Sequence, residues 1–343
     1  MKALVLEAYK TFVYREMPEP QIAADDVLIQ VKACGICGSD VHGMDGSSGR
    51  RIPPLIMGHE AAGIIAKTGE HVSQYAVGDR VTFDSTIYCG QCWFCRRGEI
   101  NLCDHRRVLG VSCDEYRQHG AFAEYVAVPE RIVYRLPETL SFPRAAMVEA
   151  LSIAVHAVEH TPVSLNATAA VVGSGVIGLL VIQTLRAAGC GTIIAIDLDD
   201  KRLQLAGQSG ADKLLRADHT DVQQEIAQLT HGRGADIAFE VAGNTNALNT
   251  AIFSLRKGGT VTIIGNLAST VELPLQYVVT RQISVNGSCA SNGEYPACLD
   301  MIARGTVNVD ALISTIAPLS EGAAWFERLY KREQDLMKVI LEP

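Results

Sequence analysis

Short runs of β-branched and apolar residues dominate the first part of the chain. VLIQVKA, GIIAKTG, DRVTF and EYVAV are examples, and Gly, Pro or Asp residues stand between them. Runs of this length bounded by turn-forming residues are typical of β-strands. We therefore expect residues 1–150 to form a β-rich domain.

After residue 150 the pattern changes to strands that alternate with helices. AAVV, TIIAID, ADIAFE and GTVTIIG are almost continuously apolar, and helical stretches such as VIGLLVIQTLRAAG lie between them. Strands of this kind predict a parallel sheet covered by helices on both faces. The sequence thus predicts an α/β protein with a doubly wound domain over residues 151–287. Residues 288–343 follow, with a helix near Tyr295 to Arg304 and a final strand, KVILEP.

Length and composition narrow the possible functions. A chain of 343 residues exceeds the usual limit for one hydrophobic core, and its apolar content of 48% is ample for two. A net charge of −8 without a basic block argues against nucleic acid or an acidic membrane as partner. We find neither a signal peptide nor an apolar run of about 20 residues that would span a membrane. We therefore expect a cytoplasmic protein that acts on a small molecule.

A glycine motif marks the predicted dinucleotide site. Gly173, Gly175 and Gly178 follow an apolar strand and open a helix, as a tight turn under a pyrophosphate requires. Asp197 ends the next strand, where its carboxylate can bind the ribose hydroxyls and repel a 2′-phosphate, which favours NAD. Arg202 either flanks the adenosine as a solvated residue, which we prefer, or reaches a phosphate. The predicted cofactor-binding residues are Gly173, Gly175, Val176, Ile177, Gly178, Asp197 and Arg202.

Four cysteines form the clearest motif of the chain. Cys89, Cys92, Cys95 and Cys103 lie in CGQCWFCRRGEINLC, and the chain has ten cysteines in all. In a reducing compartment such clusters bind metal more often than they form disulfides. Four thiolates at this spacing can close a tetrahedral zinc site that has no position for substrate. An iron–sulfur cluster would use similar spacing, so the motif alone leaves that alternative open.

Two further motifs, CGICGSDVH and GHEAAG, offer thiolate, imidazole and carboxylate ligands. The residues alone do not decide between Cys34 and Cys37 as a metal ligand. With these motifs, the chain closely resembles the medium-chain zinc alcohol dehydrogenases over nearly its whole length, within the sorbitol and polyol-phosphate dehydrogenase branch. The resemblance implies a GroES-like catalytic domain, a Rossmann coenzyme domain and a return of residues 288–343 to the catalytic domain. It also implies a homodimer or homotetramer.

The resemblance assigns roles to individual residues. Cys37 and His59 would bind a catalytic zinc, with Glu60 and Glu149 at or beside the metal, and which glutamate binds stays open. Simple alcohol dehydrogenases of this family have a cysteine as third ligand, so Glu149 points to polyols. The resemblance further implies that Asp40 holds the ligating tautomer of His59, although a turn aspartate is a competing interpretation. Ser39 and His42 would relay the proton of the substrate to solvent.

The predicted reaction is zinc-dependent oxidation of a secondary alcohol on a polyol or sugar acid, with NAD as hydride acceptor and two zinc ions per chain. Gly43 and Met44 stand where dehydrogenases of free sorbitol tend to carry an aromatic residue. Arg50 and Arg51 could bind a phosphate or carboxylate, although we expect solvated surface charge. One alternative substrate is a polyol phosphate such as galactitol 1-phosphate. An alternative of another class is a non-catalytic redox sensor that binds NAD and zinc, which predicts damaged catalytic ligands.

Overall fold

The computed structural model describes residues 1–343, and the chain divides into two compact units. The first comprises Met1–Glu149, Asn292–Gly305 and Val309–Pro343, and the second comprises Ala150–Ser291 and Thr306–Asn308. None of the helices combines the length and the apolar character that a membrane crossing requires.

The segment up to residue 149 consists mainly of short strands, as the alternating runs predict. Its strands are β1 (Lys2–Ala8), β2 (Thr11–Glu16), β3 (Asp26–Gly35), β4 (Leu55–Ile56), β5 (Glu60–Thr68), β6 (Arg80–Phe83), β7 (Thr86–Ile87), β8 (Arg107–Val108), β9 (Val111–Ser112), β10 (Arg117–Gln118), β11 (Tyr125–Pro129) and β12 (Val133–Arg135). Its helices are α1 (Gly38–Gly43), α2 (Trp93–Arg96), α3 (Phe142–Ala146) and the start of α4 (Val148–Glu159), with two 3₁₀ turns, Ile100–Leu102 and Glu130–Ile132.

The segment from residue 150 to 291 alternates strands and helices. Its strands are β13 (Thr168–Val172), β14 (Thr192–Asp197), β15 (Lys213–Arg216), β16 (Ala235–Glu240), β17 (Leu255–Ile263) and β18 (Ser284–Gly287). Its helices are α5 (Val176–Ala187), α6 (Asp200–Gln208), α7 (Val222–Leu229), α8 (Thr245–Ser254) and α9 (Leu275–Thr280). The six strands form one parallel sheet in the order β15-β14-β13-β16-β17-β18. This order reverses direction at β13, as in a doubly wound fold, and confirms the predicted α/β class.

The last segment adds α10 (Tyr295–Ala303), β19 (Ile313–Pro318), α11 (Gly322–Tyr330) and β20 (Lys338–Glu342), with 3₁₀ turns at Asp310–Leu312 and Leu319–Glu321. β20 pairs antiparallel with β3, and β19 pairs parallel with β20. Both strands therefore extend the seven-stranded sheet of the first unit, which also contains β5, β6, β11 and β12. Under this sheet the core packs large apolar side chains such as Phe83, Phe122 and Phe326, all essentially inaccessible to solvent.

Candidate functional site

The four-cysteine lobe brings its sulfurs together within a short stretch of the first unit. The Sγ atoms of Cys89, Cys92, Cys95 and Cys103 all lie within 4.8 Å of one another. The backbone N–H groups of Cys92 and Cys89 point at sulfurs, 3.3 Å from Cys89 Sγ and Cys103 Sγ respectively. Such N–H···S contacts favour the thiolate form that binds metal. All ten cysteines of the chain are free thiols.

A second group of metal-ligand side chains lies where β3 and β5 meet. Cys37 follows β3 and precedes the first turn of α1, while His59 and Glu60 stand at the start of β5. The antiparallel register pairs Gly35 with Glu60 and so brings the end of one strand to the beginning of the other. One ligand atom from each of Cys37, His59 and Glu60 lies within 4.8 Å of the other two. His59 and Glu60 are buried, and Cys37 is half-buried.

Gly35 makes room for the carboxylate of this group. A Cβ atom at position 35 would lie 2.2 Å from Oε2 of Glu60, closer than two non-bonded atoms can approach. Any larger residue there would displace Glu60 from Cys37 and His59. Gly35, the first glycine of the CGICGSDVH motif, is therefore required by the side chain of Glu60 on the neighbouring strand.

Lys338 is part of this group, and the sequence analysis missed it. Its Nζ atom lies 2.7 and 2.6 Å from the two carboxylate oxygens of Glu60 and also donates to the carbonyl of Ile36 at 3.1 Å. Both side chains of the ion pair are at most 3% exposed. Burial alone would lower the pKa of Lys338, but the charge of Glu60 outweighs it and the pKa is raised. The available signal was a lysine at the head of the apolar strand KVILEP, since such a lysine needs an anion when buried.

Asp40 lies behind His59 and is fully buried, so it is more than a turn residue. Its Oδ2 faces His59 Nδ1 at 3.5 Å, while Arg51 donates to its Oδ1 from Nη2 at 2.9 Å and from Nε at 3.1 Å. Burial would raise the pKa of Asp40, but His59 and Arg51 lower it to about 2. Arg51 is only 5% exposed. The expectation of a solvated charge is therefore wrong for Arg51, whereas Arg50 is exposed.

The two predicted relay residues lie on α1, next to Cys37. The hydroxyl of Ser39 is exposed and donates to Cys37 Sγ at 3.3 Å. His42 stands in the last turn of the same helix and is half-buried. Cys34, the other candidate thiol, is fully buried, and burial raises its pKa well above the usual thiol value. Of the two cysteines, Cys37 is the one beside His59.

Glu149 stands at the start of α4 and accepts a hydrogen bond from Ser85 Oγ at 3.2 Å. It does not join Cys37, His59 and Glu60 within the 4.8 Å that defines their cluster. Burial, reinforced by the charges of Glu60 and Asp84, raises the pKa of Glu149 to about 7. A carboxyl group of this kind exchanges a proton easily near neutral pH.

The predicted coenzyme residues come together at the carboxyl ends of β13 and β14 in the second unit. Gly173 adopts a φ of +102°, and a Cβ on Gly178 would lie 1.9 Å from the carbonyl oxygen of Gly173. Nothing lies within 4 Å of the Cβ position of Gly175, which immediately precedes α5. Val176 and Ile177 form the first turn of α5, and no side chain caps the N-terminus of this helix. The open space beside it is suited to binding a pyrophosphate.

Asp197 is held firmly at the end of β14. Its Oδ2 accepts the N–H of Ser174 at 2.6 Å, and its Oδ1 accepts the N–H groups of Leu198 and Asp199 at 2.7 and 3.1 Å. These bonds fix the carboxylate beside the glycine turn, where it can accept ribose hydroxyls. Arg202 is an exposed residue of α6.

The residues therefore fit the groups that the motifs predict. Two sets of side chains gather metal-binding atoms at one point each, one of four thiols and one of thiol, imidazole and carboxylate. Such a pair of sites, with a glycine cradle in a doubly wound domain, defines a zinc-containing dehydrogenase that uses a nicotinamide coenzyme.

Comparisons with known proteins agree with this class. Residues 23–138 match the alcohol dehydrogenase GroES-like domain, and residues 176–304 match the zinc-binding dehydrogenase domain. The chain is 35% identical to a sorbitol dehydrogenase of Bacillus subtilis, over 100% of this chain and 97% of that protein. It is 32% identical to a D-arabitol-phosphate dehydrogenase of Enterococcus avium, over 97% and 94%.

Among solved structures, a zinc-binding dehydrogenase of Sinorhizobium meliloti bound to NADP superimposes with a TM-score of 0.92. It is 32% identical to this chain, and the match covers 100% of this chain and 99% of that one. The chain belongs to the zinc-dependent medium-chain alcohol dehydrogenase family. The resemblance found in the sequence is confirmed.

Proposed function

We propose that this dehydrogenase oxidises a secondary alcohol of a polyol or sugar acid to the ketone, with NAD as the hydride acceptor. The observation that carries the proposal is the cluster of Cys37, His59 and Glu60, because it offers three unlike ligands instead of a closed set of four. Sites with three protein ligands leave a position for substrate. The similarity to a sorbitol dehydrogenase supports a polyol as the substrate class.

We assign the metal ligands as follows. Cys37 and His59 would hold the catalytic zinc together with a carboxylate, and Cys89, Cys92, Cys95 and Cys103 would hold a structural zinc. Zinc in the open site would lower the pKa of the substrate hydroxyl, and NAD would accept the hydride. Glu60 is the nearer carboxylate, and Lys338 neutralises it. Glu149, which is buried and accepts a hydrogen bond from Ser85, would stay beside the metal.

The remaining residues of the site would handle the proton and the coenzyme. Ser39, whose hydroxyl reaches the Cys37 sulfur, would accept the substrate proton, and His42 would pass it to solvent. Gly173, Gly175 and Gly178, with Val176 and Ile177, would hold the pyrophosphate at the N-terminus of α5. Asp197 would hold the ribose and disfavour NADP, with Arg202 beside the adenosine.

The structure favours a substrate without phosphate over a polyol phosphate. Of the two arginines that could bind a phosphate, Arg51 donates to Asp40, to Ser39 and to the carbonyl of Arg50. It is therefore not available to an anionic group of the substrate, and within the proposed class this favours a neutral polyol over a sugar acid as well as over a phosphate. Arg50 remains exposed, but a single solvated arginine binds phosphate weakly.

A screen of NAD reduction tests this proposal. Purified full-length protein is given polyols, sugar acids and their phosphates at equal concentration, and NADH formation is followed by absorbance. We expect turnover with at least one polyol or sugar acid and a smaller kcat/KM with its phosphate. Cys37→Ala, purified in the same way, is the control for contaminating host dehydrogenases.

Turnover with phosphates alone would show that the substrate is a polyol phosphate. No turnover at all, in a protein that holds both zinc ions, would favour a redox sensor. A non-catalytic sensor is expected to have lost catalytic ligands. The presence of Cys37, His59 and Glu60 therefore argues against that alternative. None of the ten cysteines forms a disulfide bond, and we therefore propose that the protein acts in a reducing compartment, the cytoplasm.

We also propose a homodimer or homotetramer built on the second unit. Strand β18 is the edge of the parallel sheet and carries the exposed Val285 at 39%, and α9, which precedes it in the chain, carries the exposed Leu275 at 64% and Val279 at 67%. An exposed sheet edge with such neighbours is suited to pairing with a second copy. Light scattering of Val279→Asp against wild type tests this, and an unchanged mass would contradict it.

A further inference from the structure

Arg51 is a buried cation in the loop before β4, and its guanidinium contacts two residues of α1 at once. Nε and Nη2 donate to Asp40 Oδ1 at 3.1 and 2.9 Å. Nη2 also lies 3.4 Å from Ser39 Oγ, and Nη1 donates to the carbonyl of Arg50 at 3.0 Å. Asp40 faces the His59 ring and Ser39 contacts the Cys37 sulfur. Arg51 therefore contacts the partners of both proposed ligands.

We propose that Arg51 is a positioning residue of the catalytic zinc site, which holds Asp40 against His59 and Ser39 against Cys37 in a single arrangement. The inference rests on the proposed zinc site but not on the identity of the substrate. It adds to the reaction a residue that touches neither the ligand atoms nor the proposed place of the substrate.

The contact with Asp40 sets the direction of the histidine ring. Arg51 uses two donors on Oδ1, so the carboxylate is fixed in plane and its Oδ2 is directed at His59 Nδ1, 3.5 Å away. Neither Oδ2 nor Nδ1 has another hydrogen-bond partner, although both are buried. A small rotation of the ring completes a hydrogen bond between them. Nδ1 would then carry the proton, which leaves Nε2 free to bind a metal.

The contact with Ser39 sets the direction of the relay proton. Arginine has only donors, so the Ser39 oxygen accepts from Arg51, and its own proton must point elsewhere. The nearest acceptor in the structure is Cys37 Sγ at 3.3 Å. Arg51 therefore holds the Ser39 hydroxyl beside Cys37, next to the proposed metal site.

Gly43 makes this placement possible. A Cβ at position 43 would lie 2.6 Å from Arg51 Cγ and 2.9 Å from Ser48 Oγ. The Cγ atom belongs to the stem of the arginine, which cannot move without withdrawing the guanidinium. A side chain at position 43 and the present position of Arg51 therefore exclude each other. This explains physically why the SDVH motif of this chain is followed by glycine instead of an aromatic residue.

The test is the rate at which full-length protein loses zinc to an excess of chelator, followed with a chromogenic zinc indicator. The four-cysteine lobe serves as an internal reference in every sample. We expect R51A to lose one zinc ion about 10- to 100-fold faster than wild type, the usual effect of removing a group that orients a metal ligand. The second zinc should leave at the wild-type rate. R50A, a change in the exposed neighbour, should match wild type for both ions.

R51K separates the effect of the positive charge from the effect of the planar guanidinium group. A lysine keeps the ion pair with Asp40, but a single ammonium group cannot make the same parallel contacts to Asp40 and Ser39. We expect R51K to lose zinc from the open site at a rate between the rates of wild type and R51A. The visible spectrum of the cobalt-substituted open site should change in R51A and R51K but not in R50A, which a purely structural role of Arg51 would not produce.

Wild-type rates of zinc loss and wild-type cobalt spectra in both Arg51 variants would overturn the inference, even if their thermal stability fell. If R51A does not fold, the rate of zinc loss and the cobalt spectrum of R51K and Gly43→Ala test the inference instead. Failure of the proposed zinc site looks different, because wild type itself would then hold a single zinc ion.

Discussion

The two candidate metal-binding clusters of the first unit are built in opposite ways. The lobe of Cys89, Cys92, Cys95 and Cys103 takes all its ligands from 15 consecutive residues, and three of the four cysteines are only half-buried. Cys37 follows β3, His59 and Glu60 lie where β5 begins, and Lys338 is brought to them by β20. The first cluster is local and chemically uniform. The second depends on the whole sheet and combines three ligand types.

This difference separates stability from chemistry. A set of four thiolates leaves a zinc ion no open position, so we expect the lobe to stabilise the surrounding chain and to take no part in the reaction. A set of thiol, imidazole and carboxylate, with Ser39 beside it, leaves room for a reacting hydroxyl. Each of the following changes tests one side of that division.

Cys37→Ala should have the largest effect. Loss of the thiolate ligand should lower turnover by about 10⁴-fold, equivalent to about 5.5 kcal/mol of transition-state stabilisation. Metal analysis should find one zinc ion per chain instead of two, and circular dichroism should show a folded protein. Substantial turnover in a variant with one zinc would mean that the ligands are misassigned.

Cys92→Ala is the matched change in the lobe. Loss of a structural metal belongs to the few mechanisms that destabilise a protein by about 4 kcal/mol or more, so the thermal midpoint should fall clearly. The open site should keep its zinc. Equal losses of stability in Cys92→Ala and Cys37→Ala would remove the distinction between the two clusters.

Lys338→Met tests the dependence of the open site on the sheet. Removal of the ammonium group takes away the lysine that pairs with the buried Glu60 carboxylate. When wild type and variant are both measured in excess chelator, so that no zinc lies beside Glu60, this should cost about 3–5 kcal/mol of unfolding free energy. Adding Glu60→Gln should restore part of that loss, as measured by denaturant titration. Lys67→Met, which breaks the exposed pair with Glu19, should change stability by no more than about 1 kcal/mol. Equal effects of the two lysine changes would contradict the buried-pair assignment.

Asp197→Gly should have the smallest effect and leave both zinc ions in place. Loss of hydrogen bonds from a carboxylate to the ribose should weaken NAD binding about 10- to 100-fold and reduce the preference for NAD over NADP. Fluorescence titration with NADH and NADPH measures both quantities. Arg202→Ala is the control, and a large effect of this change would show that Arg202 reaches a phosphate.

The sequence predicted the local features of the molecule well. The apolar runs identified the parallel strands, and the glycine spacing located the turn between β13 and α5, because both signals arise within a few residues. The four cysteines of the lobe are also a local signal, because they lie within 15 consecutive residues. The class of fold, the family and the metal-binding residue types all followed from such short motifs.

Features that depend on tertiary pairing escaped the sequence analysis. No local pattern shows that Lys338 lies beside Glu60, since the two residues meet only through the pairing of β20 with β3 and of β3 with β5. The burial of Arg51 was missed for the same reason. Its environment comes from α1, and a loop rich in Ser and Gly resembles a solvated segment.

The ion pair between Lys338 and Glu60 has a consequence for synthesis of the protein. The two residues are 278 positions apart, so at about 5–20 residues per second a ribosome makes Lys338 roughly 15 to 55 seconds after Glu60. During that interval the nascent chain carries Glu60 without the lysine that pairs with it in the folded protein. The ion pair of Glu60 with Lys338 therefore forms only after the second unit has been synthesised, although Cys37, His59 and Glu60 are among the early residues to leave the ribosome.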